Sequence, residues 1–154
     1  MNKSLENAQR GLLDFFFPRH CPFCGKVAGK GLLCDSCEKG LPYTDGHAVE
    51  EGTFGRAAAP LYYEGAVRQA ILDYKFKRKL EGLDCFGRLM AQCAAEEFSG
   101  EFDEITWVPV SRKRLKKRGF DQSKMLAASV CVDWHVKPLE TLKKTVDNPA
   151  QSGI

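Results

Sequence analysis

The sequence predicts an α/β domain with a partly parallel sheet, preceded by a small cysteine-rich module. Two observations lead to this fold class. Strand-like runs alternate with amphipathic helical patterns after residue 56, and two paired-cysteine motifs occur before residue 40. The 154 residues, 44% of them hydrophobic, suffice for one moderate core and one small satellite that needs its own cross-link or metal. The net charge of +3 is too small to identify a partner.

An amphipathic helix is predicted over residues 4–17, within an N-terminal segment spanning 1–18. Apolar residues recur there at three- and four-residue steps, Ser4 can cap the helix, and Pro18 closes it. No small-residue cleavage site follows the apolar run, which argues against a signal peptide. The polar face is not rich in Lys and Arg, so packing within the protein is favoured over lying on a membrane. With no run of 18 apolar residues, we expect a cytoplasmic protein.

A turn-rich stretch over residues 40–56 is predicted to separate two units, residues 19–45 and 56–154. The second unit should begin with a strand at 57–63, in which Pro60 marks an edge position. The elements expected after it are helices at 66–74 and 83–94, a buried strand at 105–110, a helix from about Asp121 and a strand at 136–142. Residues 145–154 are expected to form a loop.

The first unit contains the strongest chemical signal in the sequence. Residues 21–24 read Cys-Pro-Phe-Cys and residues 34–37 read Cys-Asp-Ser-Cys, with nine residues between them. Each pair presents two thiolates, and together they complete the sulfur tetrahedron that zinc prefers. A redox pair and unligated thiols are the alternatives, which the repeated spacing disfavours. Four protein ligands leave no open position, so this zinc would be structural. The predicted ligands are Cys21, Cys24, Cys34 and Cys37. Three more of the seven cysteines lack a partner at ligand spacing and are expected to pack as small hydrophobes: Cys85, Cys93 and Cys131.

A dense basic run follows the predicted strand at 105–110. Six of the seven residues at 112–118 are Lys or Arg. One interpretation is a solvated basic loop that binds nucleic acid nonspecifically by neutralising phosphates. The other is a phosphorylated ligand, because ligands of open α/β sheets bind outside the carboxyl ends of strands. A helix starting after Gly119 would add backbone amides near the same place. The position of the run favours the phosphorylated ligand.

Several motifs in combination resemble the competence protein F (ComF) family, whose members join a four-cysteine zinc ribbon to a type I phosphoribosyltransferase domain. The motifs are Leu-Leu-Asp-Phe-Phe-Phe-Pro at 12–18 before the first cysteine pair, Tyr63 with Ile-Leu-Asp-Tyr-Lys-Phe-Lys at 71–77, Val-Pro-Val at 108–110 with Arg-Gly-Phe-Asp-Gln-Ser at 118–123, and Thr145 with Gln-Ser-Gly at 151–153. The resemblance implies an incomplete type I phosphoribosyltransferase-like sheet behind the zinc ribbon.

The same resemblance implies a ligand and a biological setting. Family members are expected to bind phosphoribosyl pyrophosphate with magnesium, and the family is linked to DNA uptake in natural competence, with DNA or a DNA-uptake helicase as partner. By analogy, residues 108–110 resemble the pyrophosphate loop. The candidate phosphate-binding residues are Val108, Pro109, Arg112, Arg114, Arg118 and Gln122. The arginine fork suits phosphate oxygens.

One departure from the family limits this interpretation. The chain contains no Asp-Asp dipeptide followed by a Thr/Gly-rich turn, which in such enzymes holds the ribose 5-phosphate. The resemblance implies transferase chemistry, but without that turn we expect no stand-alone catalysis and assign no catalytic residue. We expect the chain to be cut short at its C-terminus. The alternatives to a phosphoribosyltransferase-type function are a zinc-dependent module that binds DNA or a partner, and a nonfunctional truncated remnant.

Overall fold

The computed structural model describes residues 18–44, 50–52 and 55–147, so the helix predicted at 4–17 lies outside the described residues. Its elements are helix α1 (Asp35–Gly40), strands β1 (Glu50–Gly52) and β2 (Gly55–Ala57), helices α2 (Gly65–Lys77) and α3 (Leu83–Glu97), and helices α4 (Arg112–Arg118) and α5 (Gln122–Val132). A single 3₁₀ turn, Leu80–Gly82, joins α2 to α3. Within the described ranges, no helix combines the length and apolar character needed to cross a bilayer.

The strand predicted at 57–63 is mostly wrong as a regular element. β2 ends at Ala57 and pairs antiparallel with β1, with Gly52 opposite Gly55. Beyond it, the chain is held by an isolated antiparallel bridge between Tyr43 and Leu61. Residues 57–63 therefore tie the cysteine module to the second unit, and in the described residues they do not contribute a sheet strand.

The predicted helices at 66–74 and 83–94 are confirmed as α2 and α3. The buried hydrophobic residues of α2 are Val67, Ala70 and Tyr74, whose spacing of three and four residues places them on one face. α2 ends where Arg78 adopts a left-handed conformation with φ 56°. The predicted helix near Asp121 is confirmed as α5, and Asp121 caps it by accepting a hydrogen bond from the Lys124 amide at 3.1 Å.

The core of the second unit includes the interface between α3 and α5, where the two backbones approach closely. A β-carbon added to Gly87 of α3 would lie 2.1 Å from the Ser129 Oγ of α5. The Ser129 hydroxyl donates to the Leu83 carbonyl oxygen at 3.2 Å, which joins the start of α3 to α5. The prediction that three cysteines pack as small hydrophobes is confirmed, since each is at most 9% exposed: Cys85, Cys93 and Cys131.

The expected parallel sheet is not formed in the described residues. Residues 105–110 and 136–142 form no regular element, and they come together where the Leu139 amide donates to the Ile105 carbonyl oxygen at 2.8 Å. The hydroxyl oxygens of Thr106 and Thr141 are 2.7 Å apart. This contact lies C-terminal to the first one in both segments, so the two segments run in the same direction, as in a parallel pair. One backbone hydrogen bond does not make a ladder. A lone two-stranded pair is marginal, because a sheet needs further strands or a packed face.

The interpretation of residues 112–118 as a loop is wrong, because they form α4. The Ser111 side chain caps this helix by accepting from the Arg114 amide at 3.3 Å. Gly119 ends it with φ 79° while its amide donates to the Leu115 carbonyl oxygen at 2.8 Å. Lys and Arg are good helix formers, and those in the last turn interact favourably with the helix dipole.

Candidate functional site

The four predicted zinc ligands converge. The Sγ atoms of Cys21, Cys24, Cys34 and Cys37 all lie within 4.8 Å of one another. Cys24 Sγ and Cys34 Sγ are 3.5 Å apart. A zinc tetrahedron with its usual Zn–S bonds has sulfur–sulfur edges of about 3.8 Å. The donor set and its spacing therefore fit one four-coordinate zinc with no position left for substrate.

Two short backbone structures present these sulfurs. In the first, the Gly25 amide donates to the Cys21 carbonyl oxygen at 2.8 Å and the Cys21 amide donates to the Lys26 carbonyl oxygen at 2.7 Å. Gly25 has φ 75°, a conformation that favours glycine and lets the chain turn back under the thiolates. In the second, Cys34 precedes α1 and Cys37 lies in its first turn. The sequence spacing thus becomes a turn facing the start of a helix.

The pKa values of the thiols differ across the cluster. Burial acts to raise the pKa of Cys21, but hydrogen bonds from the backbone at Cys34, Phe23 and Cys24 outweigh it and lower that pKa to about 7. Burial raises the pKa of Cys37, and the thiols around it raise it further. The Cys21 thiol therefore loses its proton more readily than the Cys37 thiol. A thiolate is the form that binds a metal.

The candidate phosphate-binding arginines all lie on α4, but they do not share one face. Arg114 and Arg118 are four residues apart and so project from neighbouring turns of the same side, whereas Arg112 lies about 200° around the helix from Arg114. The Arg118 guanidinium lies over the Phe76 ring, 5.1 Å from its centroid. Arg114 Nε is 4.0 Å from an Asp147 carboxylate oxygen. Two of the three arginines therefore lie on one side of α4, where they contact different residues.

The other candidate phosphate contacts have different surroundings. Val108 is 68% exposed and Pro109 is half-buried, and both lie on the segment before α4. Gln122 is 8% exposed, and its side-chain Oε1 has no hydrogen-bond partner in the structure. Gln122 lines an apolar cavity of about 430 Å³ together with Tyr74 and Phe86, and no arginine is among the described residues around it. Gln122 thus faces the apolar interior.

Sequence reasoning missed three polar residues beside α4. Ser111 caps the helix, and its hydroxyl donates a hydrogen bond to Asp147. Asp121 accepts from the Val110 amide at 3.2 Å and so fixes the turn before α4. A Ser before a run of helix formers is a cap signature that the sequence contains. Nothing in the sequence indicates that Asp147 reaches residues 36 positions away.

These features define the class of protein as one with a four-cysteine zinc ribbon. The double zinc ribbon domain family matches residues 12–48, a range that contains all four ligands. The chain is also similar to competence protein ComFC of Bacillus subtilis (strain 168), with 22% identity over 114 residues, 73% of this chain. It spans 45% of that relative's length. The comparison with solved structures gave no match. The cysteine cluster and both similarities support the resemblance to the ComF family.

Proposed function

We propose that this chain is a ComF-like protein of natural competence whose α4 binds the phosphate groups of a phosphoribosyl pyrophosphate-type ligand. The observation that carries the proposal is the position of α4. Six of its seven residues are basic, and only Ser111 separates it from the segment 105–110, where Trp107 is buried. Concentrated arginine and lysine at the carboxyl end of such a segment attract phosphate oxygens.

The similarity to a relative named as a competence protein supports the setting. The relative is more than twice as long as the matched part, so its whole activity need not reside in these residues. We propose zinc as a structural element and magnesium as a companion of the pyrophosphate ligand. Transferase chemistry would need the ribose 5-phosphate turn, which the 154 residues do not contain.

Calorimetric titration of the zinc-loaded chain with phosphoribosyl pyrophosphate and magnesium tests the ligand. The test variant reverses charge at Arg112, Arg114 and Arg118, each to Glu. A matched control changes the three lysines of the same helix to Glu and so alters net charge equally: Lys113, Lys116 and Lys117. Saturable binding that survives in the lysine variant and is lost in the arginine variant supports the proposal. Equal loss in both variants, or no binding by the folded chain, contradicts it.

A second candidate function is binding of single-stranded nucleic acid, favoured by one specific contact. The basic run itself contains no aromatic residue, but the fold places Phe76 beside it, 56% exposed and under the Arg118 guanidinium. Exposed lysines flank that ring on α2, at Lys75 and Lys77. An aromatic ring among cations is the arrangement on which unpaired bases stack while phosphates are neutralised.

Fluorescence anisotropy of a labelled single-stranded oligonucleotide, measured over a series of salt concentrations, tests this candidate. Phe76→Ala should weaken binding about 5- to 100-fold, the range expected for one stacked base. Phe102→Ala, a partly exposed Phe that packs against Trp134 instead, should leave it unchanged. A steep salt dependence without any effect of Phe76→Ala would indicate nonspecific charge attraction and contradict the stacking surface.

A further inference from the structure

A single carboxylate from the far end of the described chain occupies the turn that precedes α4. The Ser111 hydroxyl donates to Asp147 Oδ1, and Arg114 Nε lies 4.0 Å from the same oxygen. Ser111 is 4% exposed, so its hydroxyl is shielded from solvent. The Asp147 and Arg114 side chains are both about one-third exposed, so the contact lies at the edge of the protein.

The chemistry of this contact matches that of the proposed ligand. A carboxylate oxygen held by a hydroxyl donor and a neighbouring guanidinium uses the same donors as a phosphate oxygen would. An anion that took the place of Asp147 would satisfy the buried Ser111 hydroxyl, which would otherwise lose its acceptor at a cost. Ser111 and Arg114 therefore cannot serve the Asp147 carboxylate and an incoming phosphate oxygen in the same geometry.

We propose that Asp147 is an internal competitor for the anionic ligand of α4, so that the site binds phosphate only when the segment carrying Asp147 moves away. This inference rests on the proposed function of α4. Because the carboxylate and the ligand compete, the ligand binds only to molecules in which Asp147 has left the turn. The apparent affinity equals the intrinsic affinity multiplied by the fraction of such molecules.

The test measures binding of inorganic pyrophosphate to the zinc-loaded chain by calorimetry. Asp147→Asn keeps the shape of the side chain and removes its charge, and it should tighten binding about 5- to 50-fold. Asp103→Asn removes one negative charge from an exposed position and controls for net charge. Adding Arg114→Gln to Asp147→Asn should reverse most of the gain, because the guanidinium that would contact the pyrophosphate is then absent.

The outcomes separate the two proposals. Tighter binding by Asp147→Asn than by Asp103→Asn, reversed by Arg114→Gln, supports the internal competitor. Equal affinity of the wild type and both single variants overturns it and leaves the proposed function of α4 standing. No pyrophosphate binding by any variant, each shown to be folded by circular dichroism, overturns the proposed function and the competitor with it.

Discussion

Phe23, which lies between the first two cysteines, packs edge-on against Phe86 of α3, with ring centroids 5.8 Å apart and planes at 74°. Phe86 contacts Tyr74 in the same manner at 5.9 Å, and Tyr74 contacts Phe120 at 5.9 Å. The Tyr74 hydroxyl donates to the Gln122 carbonyl oxygen at 2.8 Å. An aromatic series therefore connects the zinc site to the start of α5, and we expect the two units to unfold together.

Replacing Phe23 by Ala should lower the free energy of unfolding by about 1–3 kcal/mol, because a half-buried ring and its edge-to-face contact are lost. Chemical denaturation followed by circular dichroism measures this change. Phe76→Ala is the matched control, since that ring is 56% exposed and should cost much less. Equal destabilisation by the two substitutions would show that Phe23 does not join the units.

Zinc analysis of the purified chain should find about one metal ion per chain, because the described residues form one group of four clustered thiols. Cys34→Ser removes one ligand and should bring the zinc content well below one equivalent. Cys85→Ser, which changes a buried cysteine outside the cluster, should leave the zinc content of the chain unchanged.

Removal of zinc with a chelator should also lower the melting temperature of the helical unit, because Phe23 and Pro22 then lose their fixed positions. A chelated chain that melts unchanged would contradict the coupling.

The sequence predicted the zinc ligands and three helices because each has a local signature. The ligands follow a fixed spacing, and Val67, Ala70 and Tyr74 recur at helical steps. The solvated-loop alternative for residues 112–118 rested on their charge, whereas helix propensity and the caps at Ser111 and Gly119 decide their backbone structure. The contact of Asp147 with Ser111 depends on how distant segments pack, which no local pattern encodes.

The predicted sheet shows a different limit. Residues 105–110 and 136–142 have strand composition, but they form no strand in the structure and share one backbone hydrogen bond, between Leu139 and Ile105. Strand formation depends on neighbours that supply hydrogen bonds and a covered face. Val136, Leu139 and Leu142 are each about half exposed, so in the described residues no layer covers that segment. Composition alone therefore does not decide whether these two segments form strands.

Asp73→Asn should reduce stability at neutral pH and have a much smaller effect in acid. The Lys77 ammonium, and then Lys79, hold the pKa of the Asp73 carboxyl well below its usual range, with help from Gln69. A lowered folded-state pKa means that the stabilisation is fully present above the unfolded value, about 3.9, and is lost as the pH falls below it. Melting temperatures of both proteins between pH 7 and pH 2.5 check this.

The two melting curves for Asp73 should converge as the pH falls, and 1 M salt should weaken the difference at pH 7 because the lysines are more than half exposed. Glu104→Gln is a suitable control, being an exposed carboxylate distant in sequence from the Asp73 pairs. A constant difference between Asp73→Asn and the wild type at every pH would assign the effect to packing or to the Gln69 hydrogen bond.

Gly87→Ala should destabilise the protein even though alanine is the better helix former. The added methyl would lie 2.1 Å from Ser129 Oγ and 3.0 Å from the Ser129 backbone carbonyl carbon, so α3 and α5 must separate. Overpacking of this kind costs about 1–3 kcal/mol, whereas the change from Gly to Ala gains about 1 kcal/mol in helix propensity. At the upper end of its range the overpacking cost outweighs that gain.

Gly40→Ala in α1, where a β-carbon meets nothing within 4 Å, should be neutral or stabilising. Ser129→Gly removes the side-chain part of the clash but also the hydrogen bond to the Leu83 carbonyl oxygen, so Gly87→Ala should cost less in a Ser129→Gly background than in the wild type when both are measured by denaturant unfolding. Full stability in the single Gly87→Ala variant would mean that the two helices do not pack as closely as the structure has them.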